Sequence, residues 1–160
     1  MTQRAKTILS LSEFFDNLTD AQLGMIASIC DIVSYEKGDI LIQENAHSDE
    51  LYVIGEGAIE ILMNHPDEGQ PAVVAELLPG QAFGEVALVD QGVRSASARV
   101  SEENTYVLRI SGNRLMQLCD KHPELGYQVM KNLAADLALK IRIANLTIRQ
   151  YQWMLSKREE

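Results

Sequence analysis

The sequence predicts a mainly β domain with flanking helices, in which the strands form a sandwich or jelly-roll barrel. Three observations lead to this fold class. From Asp31 to about Arg109, short apolar runs alternate with turn residues at a spacing of roughly ten residues. Amphipathic stretches precede this region, and a long apolar stripe follows it. With 46% hydrophobic and 23% charged residues, the 160-residue chain fits a single folded domain, and this composition excludes a disordered chain.

Residues 1–30 precede the strands, and two short helices are predicted between residues 7 and 30. Thr19 and Gln22 have the spacing of a capping box, in which each side chain bonds to the backbone N–H of the other residue. The capping box therefore predicts that the second helix begins next to Thr19.

The barrel is predicted over residues 31–110. Its predicted strands are Ile32–Tyr35, Ile40–Ile42, Leu51–Ile54, Ile59–Leu62, Val73–Leu77, Ala96–Val100 and Thr105–Ile110. Turn residues separate them at Lys37–Asp39, Pro66–Gly69 and Pro79–Gly80.

Residues 111–158 are predicted to be helical. Ser111 is a candidate cap for a short helix that ends near Cys119, and Pro123 suits the first turn of a long helix over residues 124–156. Apolar residues recur every three or four positions along the long helix, namely Leu125, Val129, Leu133, Leu137, Ile141, Ala144, Ile148, Tyr151 and Leu155.

One barrel can cover only part of a helix this long. The remainder is predicted to pair with a second copy of the chain as a parallel homodimer, with Tyr151 and Trp153 at that interface or at a partner interface. A stripe buried entirely within the monomer is the alternative.

The charge distribution excludes several classes of partner. The net charge is −9, residues 1–120 carry 7 basic and 19 acidic residues, and no Lys or Arg lies between Lys37 and Arg94. Because phosphate contacts need a cationic surface, direct nucleic-acid binding is not expected. No apolar run approaches the roughly 18 residues that span a bilayer, so no membrane insertion is expected. Cys30 and Cys119 lie among apolar neighbours and indicate a cytoplasmic protein with reduced thiols, although a disulfide stays open.

Catalytic motifs are not found in the sequence. The three histidines, His47, His65 and His122, lack metal-ligand spacing. The Gly-x-Ser-x-Gly and P-loop patterns are also missing. We therefore expect a protein that is not an enzyme and that needs no metal or catalytic cofactor.

The candidate site lies in the segment Phe83–Ala96. Gly84 permits close backbone approach, and the residues that follow it are long enough for one helical turn. Free N–H groups at the start of that turn, together with the guanidinium of Arg94, suit one singly charged phosphate. Glu85 would repel a phosphate and is better suited to accept a hydrogen bond from a hydroxyl such as a ribose 2′-OH.

This segment resembles the phosphate-binding cassette of the cyclic nucleotide-binding domain family, which reads F-G-E-x-A-L and then R-[SAT]-A. The matching residues are Phe83, Gly84, Glu85, Val86, Ala87 and Leu88, then Arg94, Ser95 and Ala96. The stretches 35–41, 50–57 and 78–85 are similar to the framework of the family, so the resemblance covers nearly the whole chain.

The resemblance implies a role for each matched residue. Arg94 pairs with the cyclic phosphate and Ser95 adds a donor to it, while Glu85 accepts a hydrogen bond from the ribose 2′-OH. The remaining residues implied at the ligand are Phe83, Gly84, Val86, Ala87 and Ala96 in the cassette, and Val74 and Leu77 against the base. The serine at position 95 is similar to the residue at this place in the cassette of the bacterial catabolite activator, which favours cAMP. The resemblance therefore implies cAMP rather than cGMP as the ligand.

The sequence departs from the family pattern at a turn near Asn45 and at the helix positions that contact the nucleotide base in the activator. A glycine of the family is replaced near Asn45, a residue type that tolerates the left-handed conformation. On the long helix, the Thr-Ser pair with which the activator contacts adenine falls at Lys140 and Ile141. The candidates for base contacts on this helix are Lys140, Ile141, Arg142 and Asn145.

The predicted function is that of a stand-alone cAMP receptor that changes conformation on binding. The residues after the long helix leave no room for a helix-turn-helix, so the expected output is contact with a protein effector. The alternatives are a structural or interaction dimer with a vestigial cassette, or a fragment of a larger protein regulated by cyclic nucleotides.

Overall fold

The structure is a computed structural model that describes residues 2–64, 69–90 and 92–157. Its helices are α1 (Thr2–Ser10), α2 (Asp20–Ala27), α3 (Gly112–Lys121) and α4 (Pro123–Ser156), with 3-10 turns at Glu13–Phe15 and Glu85–Leu88. Its strands are β1 (Cys30–Tyr35), β2 (Ile40–Ile42), β3 (Leu51–Glu56), β4 (Ile59–Met63), β5 (Ala72–Leu77), β6 (Ala82–Phe83), β7 (Ser97–Val100) and β8 (Thr105–Ile110). His65, the Pro66–Glu68 part of the predicted turn, Gln91 of the cassette and residue 158 lie outside the described residues.

The strands form two antiparallel sheets, which confirms the predicted jelly-roll class with flanking helices. One sheet has the order β1-β8-β3-β6 and the other β2-β7-β4-β5. The first sheet lies between the helices and the second sheet. The second sheet carries the candidate site on its inner face.

Alternation along β3 explains why the first sheet is apolar on both faces. Leu51 and Val53 pack against the helices, whereas Tyr52 and Ile54 pack into the space between the sheets. Successive strand residues point to opposite faces, so a strand buried on both sides reads as a continuous apolar run. The burial of β3 on both sides explains the run of four apolar residues at its start.

The predicted helix caps are present. The Thr19 hydroxyl accepts from the backbone N–H of Gln22 at 3.2 Å, and the Gln22 side chain accepts from the backbone N–H of Thr19 at 2.8 Å. Ser111 caps α3, and Pro123 is the first residue of α4. These local signals confirm where α2, α3 and α4 begin.

The first helix extends further toward the N-terminus than predicted, because it begins at Thr2 rather than near residue 7. The Arg4 guanidinium lies 4.3 Å from the ring centre of Tyr106, and the Lys6 ammonium pairs with the Asp20 carboxylate at 2.5 Å. Both contacts reach residues distant in sequence, so neither could be read from the first turn alone.

The two cysteines are free thiols in the structure. Burial raises the pKa of the Cys30 thiol to about 12 and also raises the pKa of Cys119. Because the thiolate is the reactive form, neither side chain is a ready nucleophile near neutral pH.

Helix α4 is buried only in its first part. Leu125, Val129 and Leu133 are buried against the domain, and Leu137 packs at the edge of this cluster. Residues 141–157 are exposed throughout. The helix has 34 residues and is therefore about 51 Å long at 1.5 Å per residue, which carries its second half past the barrel.

Candidate functional site

A cavity of 620 Å³ opens between the inner face of the second sheet, the Glu85–Leu88 turn and α4. Its volume lies in the range of small-molecule sites, about 300–1,000 Å³. The apolar residues that the strands of the second sheet contribute to it are Ile42, Ile61, Ala75, Leu77 and Ala98. The charged side chains along it are Glu13, Glu85, Arg94, Asp136 and Lys140. An apolar surface with a few charged groups suits a ligand that is partly aromatic and partly ionic.

Gly84 joins β6 to the turn in the left-handed conformation, with φ +82°. A Cβ atom at this position would lie 2.8 Å from both Nη1 of Arg94 and the carbonyl oxygen of Glu50. Glycine is therefore required twice, by the backbone angle and by the close approach. The turn that follows begins with Glu85, which is only 5% exposed.

Arg94 is buried at 3% exposure and borders the cavity. Its Nε donates to Ser48 Oγ at 2.8 Å, Nη1 to the Gly84 carbonyl at 3.0 Å and Nη2 to the Glu50 carbonyl at 2.7 Å. A guanidinium has five N–H groups, so one N–H on Nη1 and one on Nη2 make no hydrogen bond to the described residues. The Glu50 carboxylate lies 3.6 Å from Nη2.

The backbone around Arg94 explains how the guanidinium is fixed in place. The Arg94 N–H donates to the Ala46 carbonyl at 3.0 Å, and the Arg94 carbonyl accepts from Asn45 at 2.9 Å. Asn45 is left-handed at φ +66°, a conformation that asparagine tolerates better than most residues. This turn brings Ser48 and Glu50 under the guanidinium.

Burial lowers the pKa of the Arg94 guanidinium, and nearby Tyr52, Glu50, Asp49 and Glu85 partly offset that effect. An arginine stays protonated in proteins, so the site carries a fixed positive charge. A buried cation whose fork is only partly used is suited to an anion with two oxygens.

Glu85 and α4 meet in an ion pair. Nζ of Lys140 lies 2.5 Å from Oε1 of Glu85 and 2.8 Å from Oδ2 of Asp136. Desolvation lowers the pKa of the Lys140 ammonium, but Asp136 and Glu85 outweigh it and the net pKa is raised. The ammonium is therefore charged throughout the neutral range.

A protein-family model described as the cyclic nucleotide-binding domain matches residues 32–122, more than half of the chain. The chain belongs to the cyclic nucleotide-binding domain family. The residues that enclose the cavity include most of the segment that is predicted to be the phosphate-binding cassette.

This cyclic nucleotide-binding domain is also similar in sequence to individual proteins whose names refer to cyclic nucleotides. The chain is 31% identical over 137 residues to the cyclic AMP receptor protein of Thermus thermophilus, covering 86% of this chain and 61% of the relative. It is 29% identical over 138 residues to cyclic GMP-binding protein C of Dictyostelium discoideum, covering 84% of this chain and 5% of that protein.

A solved structure has the same fold. The catabolite activator protein of Thermus thermophilus superposes with a TM-score of 0.77 at 30% identity, covering 88% of this chain and 63% of that one. The chain thus spans less than two thirds of these relatives, from 61% down to 5% of the curated ones.

The structure brings most of the predicted site residues of this cyclic nucleotide-binding domain to one cavity. Those that line it are Phe83, Gly84, Glu85, Val86, Ala87, Arg94, Ser95, Ala96, Leu77 and Lys140. Their roles toward a ligand stay predictions.

Val74 does not line the cavity, contrary to the prediction, and is 53% exposed. Val74 and Leu77 are three positions apart on one strand, so they point to opposite faces of it. The inward residues of β5 are Ala75 and Leu77. Pairing also shifts here, because Ile61 pairs with Ala75 while the next residue of β4 pairs with Val73.

Ile141, Arg142 and Asn145 also lie outside the cavity lining, although all were predicted as candidate base contacts. Each is exposed on α4, and Ile141 is 63% exposed. Of the four helix candidates, only Lys140 is turned toward the cassette. Helix rotation decides this, since consecutive residues are about 100° apart around the axis.

Sequence reasoning missed Ser48, Glu50 and Asp136, which hold Arg94 and Lys140. No local motif marks Ser48 or Asp136, and Glu50 is marked only as the first residue of the framework stretch 50–57. Among the described residues, no group of three or more His, Cys, Asp or Glu could hold a metal. In the same part of the chain, no helix is both long and apolar enough to cross a membrane.

Proposed function

We propose that this protein is a cyclic nucleotide receptor, that its ligand is cAMP, and that it works by binding rather than by catalysis. The observation that carries the proposal is the buried, partly unused guanidinium of Arg94 beside the Gly84 turn, on a cavity of ligand size. Burying a charge away from water is costly, and an anionic ligand beside the guanidinium offsets part of that cost.

In this proposal the cyclic phosphate takes the two free N–H groups of Arg94 and a backbone N–H of the Glu85–Leu88 turn. Ser95 adds a donor beside them. The ribose 2′-OH donates to Glu85, a buried carboxylate that borders the cavity and can accept a hydrogen bond from it. The base lies along the apolar residues Ala75 and Leu77, which border the same cavity.

The preference for cAMP is supported by the residue after Arg94. Ser95 borders the cavity and is the residue that resembles the bacterial activator. The relatives' names include both a cyclic AMP receptor and a cyclic GMP-binding protein, so both nucleotides must be compared directly.

Calorimetric titration tests the proposal. We expect cAMP to bind with measurable heat, cGMP to bind more weakly, and 5′-AMP to bind poorly because its open phosphate carries a second negative charge in an acidic domain. Heat from neither cyclic nucleotide would reject the receptor and favour the alternative, a dimer with a vestigial cassette.

The output is proposed to be a population shift in α4 that changes contact with a protein effector. This helix contacts the cassette through Lys140 and continues beyond the barrel as exposed turns. We propose that the receptor is cytoplasmic, and its two free thiols support this proposal.

The exposed part of α4 is also proposed to form the homodimer. Ile141, Ile148, Tyr151 and Leu155 continue the face that is buried nearer the barrel, and each is more than half exposed. A second copy of the same helix in parallel covers such a stripe.

We expect Ile148→Glu to convert the dimer to a monomer, measured by light scattering after size exclusion. The matched control is Leu146→Glu, because Leu146 is equally exposed (54% against 53%). It lies about 200° away around the helix and should leave the dimer intact. Dissociation by the Leu146 variant alone would place the interface on the opposite face.

A further inference from the structure

The carboxylate of Glu85 in the cassette is already paired with the Lys140 ammonium. The side chain of Glu85 is 7% exposed, whereas Lys140 is 47% exposed and Asp136 34%. Both Lys140 and Asp136 border the cavity. The ammonium therefore stands in the space between helix and turn that a ligand at Glu85 must enter.

Separation of the ion pair costs Glu85 more than Lys140, because only Lys140 keeps another partner and contact with water. Lys140 keeps Asp136 at 2.8 Å and is half open to water, so it can leave Glu85 while staying solvated. Glu85 is buried and needs a replacement donor. A ribose hydroxyl is such a donor.

We propose that Lys140 competes with the ribose 2′-OH of the ligand for Glu85, and that this competition sets both affinity and selectivity for the 2′-hydroxyl. The inference rests on the proposed function, because it takes Glu85 as the acceptor for the ribose. Ribonucleotide binding displaces the ammonium to Asp136 and water. A 2′-deoxy ligand leaves the ion pair in place.

The test compares the wild-type protein with Lys140→Met, which keeps an apolar stem of similar length and removes the ammonium. Affinities are measured by calorimetry for cAMP, cGMP and their 2′-deoxy forms. We expect the variant to bind the ribonucleotide roughly 1.5- to 5-fold more tightly, the range for a partly exposed ion pair. Affinity for the 2′-deoxy form should be unchanged, so the ribo-to-deoxy ratio rises.

Lys131→Met is the matched control. Lys131 lies on the same helix but outside the cavity lining, so its loss reports only the change in overall charge. Lys140→Gln is a second variant of the ion pair, and thermal unfolding without ligand checks that each variant is folded.

The outcomes separate the inference from the proposed function. If both ligand forms lose affinity equally with Lys140→Met, Lys140 assists binding and the competition is refuted. An unchanged ribo-to-deoxy ratio refutes it as well. If the wild-type protein binds none of the nucleotides, the proposed function fails and this inference fails with it.

Discussion

Arg94→Ala is expected to weaken cAMP binding by about 2–5 kcal/mol, the cost of truncating one side of a buried charge pair. At 1.4 kcal/mol per tenfold change, this is a loss of roughly thirtyfold to several thousandfold. No other Lys or Arg occurs between residues 37 and 94, so no nearby side chain in that stretch can replace the charge. Calorimetric titration of the wild-type and variant proteins measures the difference.

Two further variants interpret the result. Arg99→Ala removes a cation from β7, where Arg99 pairs with Glu60 and does not line the cavity, and it should leave cAMP affinity nearly unchanged. Arg94→Lys keeps the positive charge but loses the planar fork of donors. Its affinity for cAMP should therefore lie between those of the wild-type and Arg94→Ala proteins. Equal affinity of the Arg94→Ala and wild-type proteins would remove Arg94 from the site.

Gly84→Ala is expected to have the second largest effect, because it strains the backbone and displaces Arg94. The left-handed conformation costs a non-glycine residue about 1–2 kcal/mol. The new Cβ would also lie 2.8 Å from Arg94 Nη1 and from the Glu50 carbonyl. Shifting a charged donor from its partner costs about 1.5–3 kcal/mol, so cAMP affinity should fall roughly tenfold to a hundredfold.

Gly38→Ala is the matched control, because Gly38 is also left-handed, at φ +96°, but has nothing within 4 Å of the added Cβ. Chemical unfolding should show strain in both variants, with a larger loss for Gly84→Ala. Only Gly84→Ala should lower cAMP affinity. Equal affinity in the two variants would mean that the close approach at Gly84 does not position the site.

Local chemistry allowed much of the fold to be predicted from the sequence. The Thr19–Gln22 capping box, Ser111 and Pro123 each act within one helical turn, so each can be recognised without knowing the rest of the structure. The cassette is similarly local. Gly84, the turn after it and Arg94 lie close together in sequence and meet at one cavity.

The predictions that the structure contradicts concern which face of a strand or helix a side chain occupies. Val74 was placed at the cavity although strand alternation turns Ala75 inward instead. The candidates on α4 depended on helix rotation, which only packing against the barrel fixes. Besides Gly84, the hydrogen-bond partners of the Arg94 side chain are Glu50 and Ser48, which are 44 and 46 residues away along the chain, and no sequence motif links either of them to Arg94.

The most direct test of the central claim is a crystal structure of the protein with bound cAMP. The account predicts the cyclic phosphate within hydrogen-bond distance of both terminal nitrogens of Arg94 and of a backbone N–H of the Glu85–Leu88 turn. A nucleotide found elsewhere, or held in the cavity with its phosphate away from Arg94, would contradict it.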